Sequence, residues 1–242
     1  ITKRVISIKS VTTTPKQFDG DTNAWSCITD VSFENLVSGE TLIKSGIYNG
    51  SYVTGDYGVA RTAFNSANVN EANTITGIVG IINNRLNYTF VNAEGEESSI
   101  ASFTTNGEIT KANARDLGTA QLKQRYTDTA VKEYLPDYTS LMPANAGNLT
   151  YDVSYEVTQG TADVKKNDKE ESTGKLTYQI EAQAGAVITW TFTVHSTNYA
   201  DSTHKLVVTI TDREQQTDFR FENNTTAKTA TYGDADFTIP TT

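Results

Sequence analysis

Hydrophobic and polar residues alternate along much of the chain, with the period of two that is typical of β-strands. The clearest segment is 187–194, where Ile188, Trp190, Phe192 and Val194 share one face and the other face is mostly threonine. The segments 149–157, 175–181 and 205–212 alternate in the same way. Because successive side chains of a strand point to opposite sides of its sheet, each segment is predicted to be a strand with one buried face.

The first half of the chain contains short runs of β-branched and aromatic residues, separated by turn-forming pairs. The runs are 5–11, 41–47, 74–82, 86–91 and 100–105, and the turn formers include Ser38-Gly39, Asn49-Gly50 and Glu94-Gly95. Turn signals about every 8–12 residues are typical of sandwiches of antiparallel strands. The whole chain is therefore predicted to be all-β.

One stretch, 117–135, offers a helical alternative, because Leu122, Tyr126, Ala130 and Tyr134 recur every four residues. We favour a strand there, since 126–131 is rich in β-forming residues and no wide apolar stripe supports a helix.

A run of charged residues at 165–171 is predicted to form the solvated tip of a hairpin.

Composition limits the partners of the chain. Hydrophobic residues make up 37% of the 242 residues, and the formal net charge at pH 7 is −9. Such an acidic chain lacks the basic patches that bind nucleic acid or an anionic membrane, so neither is expected as a partner. No apolar run approaches the ~18 residues that a membrane helix needs. The single cysteine, Cys27, cannot form a disulfide within the chain. A small buried apolar group is the favoured interpretation, and an exposed thiol is the alternative.

A repeated tripeptide suggests where one module ends and the next begins. Ile1-Thr2-Lys3 recurs as Ile109-Thr110-Lys111, and such recurrence is typical of tandem modules. We predict a first domain at 1–111, a second at 112–216, and the opening strands of a third repeat or a tail at 217–242. The start at Ile1, without a Met or a signal-peptide segment, indicates a piece of a longer protein.

The first domain contains three short motifs, Lys16-Gln17-Phe18-Asp19-Gly20, Asn87-Tyr88-Thr89-Phe90 and Gly107-Glu108-Ile109-Thr110-Lys111. Together they resemble the YDG repeat of large bacterial surface proteins, with Phe18 and Phe90 replacing the usual Tyr and Leu. The segment 231–237 is similar to the opening of related mostly-β, glycine-rich repeats. The second domain resembles an Ig-like module of Gram-positive cell-surface proteins, chiefly through residues 197–203.

This resemblance implies tandem Ig-like antiparallel β-sandwich domains, repeated along a stalk or adhesin outside the cell and attached to its surface or wall. The implied partners are other repeats of the same polypeptide. The resemblance implies no reaction.

Four residues of the first domain are weak candidates for a metal site. Asp19, Asp21, Asn23 and Asp30 match positions 1, 3, 5 and 12 of a calcium loop of the EF-hand type. The rest of the pattern fails, because Ala24 stands where the turn needs glycine and the last ligand is Asp instead of a longer Glu. A solvated turn is the favoured interpretation, and no cofactor or metal is expected.

Two histidines, His195 and His204, bracket a polar loop and could approach each other across a hairpin. Two histidines cannot close a tetrahedral metal site alone, and Asp201 would have to complete it. An ordinary polar loop is favoured. The sequence contains no nucleophile elbow, phosphate-binding loop or HExxH motif, so the chain is not expected to be an enzyme.

The two tryptophans lead to different expectations. Trp190 is in phase with the apolar face of its strand and is predicted to lie in the core. Trp25 follows a turn beside Cys27 and Ile28, where packing is favoured over exposure. An exposed Trp25 would be a weak candidate for ligand binding, since large exposed aromatic surfaces mark interaction sites.

Two functions from different classes are consistent with the sequence. The leading hypothesis is a non-catalytic, extracellular structural or adhesive stalk segment of a bacterial cell-surface protein, which spaces and presents a binding domain. The alternative is a β-sandwich module that binds a host or environmental glycan or protein.

Overall fold

A computed structural model describes residues 2–48, 51–82, 87–167 and 172–212. The strands of the first half are β1 (Arg4–Val5), β2 (Ser7–Thr13), β3 (Lys16–Gln17), β4 (Ile28–Glu34), β5 (Gly46–Tyr48), β6 (Ser51–Val53), β7 (Tyr57–Phe64), β8 (Thr74–Ile81), β9 (Tyr88–Val91), β10 (Glu97–Ser98), β11 (Ile100–Asn106) and β12 (Ile109–Thr110). Those of the second half are β13 (Asp116–Arg125), β14 (Lys132–Tyr134), β15 (Leu149–Gln159), β16 (Ala162–Lys166), β17 (Leu176–Ala182), β18 (Val187–Ser196) and β19 (Ser202–Thr211).

The predicted all-β architecture is confirmed, and α1 (Tyr138–Leu141) is the one α-helix within the described ranges. Three strand pairs, however, run parallel where only antiparallel pairing was expected: β1 with β9, β3 with β12, and β13 with β19. Each of these pairs joins segments more than 80 residues apart. Alternation identifies a strand and its buried face but carries no information about a distant partner or its direction.

Two sheets of the second half contribute to one core. The first has the order β13-β19-β18-β15 and the second the order β14-β17-β16. The predicted inward residues of β18 are confirmed, since Ile188, Trp190 and Phe192 are fully buried. Leu176 and Ile180 of β17 and the alternate residues of β19 pack against them. Strands β17, β18 and β19 therefore place their apolar faces where periodicity predicts, whereas Tyr155 of β15, in phase with the buried Val153, is 43% exposed.

The first half is divided among several small sheets, with orders β1-β9-β10, β11-β8-β7, β2-β4, β5-β6 and β12-β3. Its core includes Ile28, Tyr57, Ile75 and Phe90, all at most 2% exposed. Cys27 is buried in the same cluster, as expected from the sequence. The Tyr57 hydroxyl stays in this core by donating to Asp30 Oδ1 at 3.0 Å and by accepting from the backbone N–H of Val31.

Two local predictions were wrong, and two others lie partly or wholly outside the described residues. Residues 126–131 form a turn and an irregular segment instead of a strand, because the chain leaves the edge of one sheet to start β14 in the other. In the run 41–47, regular strand begins only at Gly46. Lys165 and Lys166 belong to β16, while the rest of the predicted charged tip at 168–171 lies outside the described residues. The proposed third repeat, 217–242, also lies outside them.

The chain passes from one half to the other between β12 and β13. β12 pairs with β3 near the start of the chain, whereas β13 pairs with β19 near residue 203. Buried apolar residues between Ile6 and Ile109 form one cluster, and those between Leu117 and Ile210 form two others. No helix in the described segments has the length and apolar character needed to span a membrane.

Candidate functional site

The first candidate site is centred on Trp25, whose side chain is 57% exposed. Its position is set by a series of side-chain-capped turns: Asp21 Oδ1 accepts from the backbone N–H of Asn23, and Asn23 Oδ1 accepts from that of Trp25 at 2.9 Å. A single 3-10 turn, Trp25–Cys27, follows and buries Cys27 while leaving the indole outside. The favoured sequence interpretation, packing of Trp25, was wrong, because this short turn has room for only one inward side chain.

One apolar groove lies beside Trp25 on the outer face of the sheet β11-β8-β7. It has a volume of about 480 Å³ and is lined by Trp25, Lys44, Ser45, Gly46, Gly58, Val59, Ala60, Ile78, Gly80, Ile82 and Ile100. Gly58 and Gly80 are paired across β7 and β8, and the side chains of Ile82 and Ile100 lie over them. Ile82 and Ile100 are about half exposed, at 49% and 52%. The groove is therefore an open apolar surface on an otherwise polar, acidic chain.

A second, more polar groove adjoins the first and shares Trp25, Val59 and Ala60 with it. Its volume is about 570 Å³, and Asp21, Asn23, Arg61 and Thr62 line the remainder together with Thr22 and Ala63. A β-bulge in β7, between Ala60 and Ala63, shifts the pairing with β8 at this point. Bulges of this kind redirect a side chain out of the regular alternation.

Arg61 occupies the bulge with a positive φ of 51°. This left-handed conformation is costly for a long side chain. Arg61 is exposed, and among the residues that the structure describes its guanidinium has no hydrogen bond or ion pair. The neighbouring Thr62 hydroxyl is buried and also lacks a partner in the described part of the chain. The polar groove thus contains one exposed guanidinium, without a partner among the described residues, beside an exposed indole.

The four candidate metal residues have other roles in the structure. Lys16 Nζ lies 2.8 Å from Asp19 Oδ1. Burial alone would raise the pKa of Asp19, but hydrogen bonds from Lys16 and from the Asp21 backbone N–H lower this pKa below its usual value. Asp21 and Asn23 cap the turns before Trp25, and Asp30 accepts from Tyr57. Within the described residues, no group of three or more His, Cys, Asp or Glu side chains is placed to hold a metal ion.

The two histidines have separate partners instead of forming one site. His204 is buried and contacts the Tyr134 hydroxyl and the Leu117 carbonyl. His195 lies between two carboxylates, with Nε2 2.9 Å from Asp152 and Nδ1 2.9 Å from Asp201. Hydrogen bonds to Asp152 and then to Asp201 raise the pKa of His195 above its ordinary value. The result is a charged clasp between β15, β18 and the loop 197–201.

A second notable site is the junction between the two halves, centred on Asn198, which is 1% exposed. Its Oδ1 accepts from the Val69 backbone N–H at 3.0 Å, and its Nδ2 donates to Asn68 Oδ1 at 3.0 Å. The same Nδ2 donates to the Asn145 carbonyl of the second half at 2.8 Å. Both sides of the junction are therefore joined through one buried amide.

Neighbouring residues extend the junction. Ala112 and Tyr199 form a parallel bridge, with the Ala112 N–H donating to the Asn198 carbonyl at 2.9 Å. The Tyr199 ring packs edge-on against Phe18 with centroids 5.6 Å apart. Phe18 belongs to the first-half core, so an aromatic contact also crosses between the halves.

Sequence reasoning did not identify Arg61, Asn198 or Asp152 as site residues. Asn198 stood in the quoted segment 197–203, but nothing in that segment indicated burial. Arg61 interrupts the alternation of 57–64, where polar Arg61 and Thr62 stand side by side; this phase slip was a usable signal for a bulge. Asp152 is an ordinary polar position of β15, and its proximity to His195 follows only from strand register.

Comparison with protein-family models finds no match, and comparison with curated proteins finds none either.

Proposed function

We propose that the chain is a non-catalytic, extracellular structural segment of a bacterial cell-surface protein, which spaces and presents a binding domain. In this proposal 1–111 and 112–216 are tandem Ig-like modules, and a further repeat starts at 217. The observation that carries the proposal is the junction at Asn198. A buried amide that hydrogen-bonds to both halves holds them in one relative orientation, because rotation of either half would leave buried polar groups unpaired.

The strand arrangement supports the modular part of this proposal. In the second half, a four-stranded and a three-stranded sheet share one core, as the two sheets of a sandwich do. In the first half, two of the motifs that resemble the YDG repeat lie side by side, because β3 at Lys16–Gln17 pairs with β12 at Ile109–Thr110. The start and the end of that module therefore meet at the junction.

A spacer needs stiffness and solubility more than a reaction centre. The junction supplies contacts that oppose bending, and the net charge of −9 keeps neighbouring copies apart by repulsion. Other repeats of the same polypeptide would then continue the row of modules beyond this chain.

Small-angle X-ray scattering of the whole chain tests the spacer role. A compact globule of 242 residues would have a radius of gyration of about 18 Å, and we expect a clearly larger value with an elongated distance distribution. We expect Asn198→Ala to broaden that distribution, while the exposed Asn148→Ala leaves it unchanged. A compact profile for the unaltered chain would contradict the spacer role.

The exposed Trp25 favours a second candidate function, the binding of a glycan or a protein. Trp25 lines both grooves, so a single large aromatic surface is available to a ligand. A glycan array probed with the chain and with Trp25→Ala tests this candidate. Binding that depends on Trp25 would support it, and the absence of binding to every glycan and host protein tried would contradict it.

A further inference from the structure

We propose that the two adjoining grooves at Trp25 bind an acidic polysaccharide, through a pyranose ring that carries a carboxylate. This inference rests on the second candidate function, ligand binding, and is independent of the spacer role. It specifies both the chemical class of the ligand and the residue that selects it.

The exposed indole provides the stacking surface. A pyranose ring presents a face of C–H groups that packs on an aromatic ring, and tryptophan offers the largest such ring together with an N–H donor. The Trp25 indole is more than half exposed, and its Nε1 has no hydrogen-bond partner within the part of the chain that is described. Its backbone is held by the turn at Asn23, so the platform does not have to be ordered when a ligand binds.

Arg61 provides the selectivity for a carboxylate. A guanidinium presents paired N–H donors whose geometry matches a carboxylate in a bidentate contact. Arg61 lines the same groove as Trp25 and holds a left-handed backbone at the bulge. Strained residues of this kind concentrate at functional sites. A glycine would fit the bulge without strain, so the arginine is not needed for the turn itself.

The rest of the polar groove suits the hydroxyl groups of a sugar. Asp21 uses Oδ1 to cap the Asn23 backbone, and Asn23 uses Oδ1 to cap that of Trp25. Asp21 Oδ2 and Asn23 Nδ2 have no hydrogen-bond partner among the described residues. The carboxylate oxygen can therefore accept a hydrogen bond from a sugar hydroxyl, and the amide nitrogen can donate one. The carboxylate of Asp21 also disfavours a second anionic group at that end of the groove.

The apolar groove extends the site beyond one sugar. It adjoins the polar groove through Trp25, Val59 and Ala60, and the side chains of Ile82 and Ile100 lie over Gly58 and Gly80. Ile78, Ile82 and Ile100 form its apolar lining. A second ring of a chain can lie against this surface, so an oligosaccharide is expected to bind more tightly than a monosaccharide.

Isothermal titration calorimetry with the whole chain tests the inference. The probes are oligogalacturonate, the same oligomer with methyl-esterified carboxylates, a sulfated galactan oligomer that has no carboxylate, and a sialylated oligosaccharide. We expect a carboxylated probe to bind at least tenfold more tightly than the methyl ester. We expect Trp25→Ala to weaken all binding at least tenfold. Arg61→Gln should weaken only the carboxylated probe, to the level of the ester, while Arg115→Gln in the other half changes nothing.

Arg61→Gly separates a binding role from a structural one. It relieves the backbone strain, so we expect it not to lower the melting temperature while it removes the preference for the carboxylated probe. Equal affinity for the acid and its ester would overturn the acidic class but leave ligand binding at Trp25 in place. Tighter binding of the carboxylate-free sulfated galactan than of the carboxylated probes would likewise overturn the carboxylate assignment. If none of the probes bound, and the glycan array were also negative, both the inference and the candidate function beneath it would fail.

Discussion

The two halves of the molecule use the same residue types in different ways, as their two tryptophans show. In the second half, Trp190 is 0% exposed and packs between Tyr155 and Tyr178, with ring centroids 5.0 and 5.3 Å away. In the first half, Trp25 is 57% exposed and lies between two grooves. Strands β15, β18 and β19 have 10 or 11 residues, whereas β1, β3, β10 and β12 have two.

This difference shows how strand length affects the number of residues that are not needed for the core. A long strand in the middle of a sheet has every backbone group paired and every alternate side chain buried, so little of it can change without loss of stability. Short strands joined by turns and a bulge leave backbone and side chains that are not needed for the core. The exposed indole lies in such a turn, and Arg61 lies at the bulge that interrupts the eight-residue strand β7. Binding residues are found disproportionately in irregular segments of this kind.

The largest expected effect distinguishes the two tryptophans directly. Trp190→Ala should cost about 3–5 kcal/mol of unfolding free energy, because it leaves a large cavity among packed rings. Trp25→Ala should cost less than about 0.5 kcal/mol, as an exposed side chain does. Urea denaturation followed by circular dichroism measures both. Thr191→Ala, which alters the opposite face of β18, is the matched control, and a loss there as large as at Trp190 would contradict the assigned faces.

The second-largest effect is expected at the junction around Asn198. Asn198→Ala removes the acceptor of the Val69 N–H and should destabilise the chain by about 1–3 kcal/mol. It should also weaken the coupling between the halves, so that unfolding followed by Trp190 fluorescence, measured in a Trp25→Phe background, separates from unfolding of the whole chain followed by circular dichroism. Asn148→Ala, at an exposed position, should show neither change. Coincident transitions and unchanged stability in the Asn198 variant would show that the halves are not joined through this amide.

A smaller, pH-dependent effect is expected from the His195 clasp. Because the folded pKa of His195 is raised, its protonated form stabilises the fold fully below the unfolded pKa of about 6.5, and this contribution is lost as pH rises through the folded pKa. The three groups are partly or largely exposed, so the gain is below about 1 kcal/mol. The melting temperature of the chain should exceed that of His195→Gln at pH 5.5, and the two should converge near pH 9.

Asp152→Asn provides the control for this clasp, because it removes one carboxylate without altering the imidazole. We expect it to reduce the difference between pH 5.5 and pH 9 in the same direction as His195→Gln. A variant with the unaltered pH profile would show that Asp152 does not interact with the imidazolium in solution.

Calcium is expected to have no effect on either half. Asp19 is paired with Lys16, Asp21 and Asn23 cap backbone turns, and Asp30 is held by Tyr57, so these oxygens are not gathered around one point. Adding calcium in millimolar amounts, or a chelator, should leave the melting temperature unchanged in scanning calorimetry. A rise of several degrees with calcium would contradict this prediction, since a ligand that binds the folded state stabilises it by mass action.

The sequence predicted buried faces best where a strand is long. The apolar faces of β17, β18 and β19 could be read from alternation, because each strand is long enough for the pattern to repeat several times. Trp25 could not be placed in this way, since a single 3-10 turn contains no repeat. The segment 126–131 was predicted to be a strand from its β-forming residues. It is instead a connection, because the chain changes sheets there.

The sequence by itself determined the all-β class, the buried faces of the long strands and the burial of Cys27, because these depend on local periodicity and on the cost of hydrating apolar groups. Only the tertiary structure decided the parallel pairs, the His195 clasp, the junction at Asn198 and the groove that contains Trp25 and Arg61. Each of these depends on which distant segments become neighbours. That choice is made by the packing of the whole chain, and residues such as Asn198 and Asn68, 130 positions apart, carry no local mark of their contact.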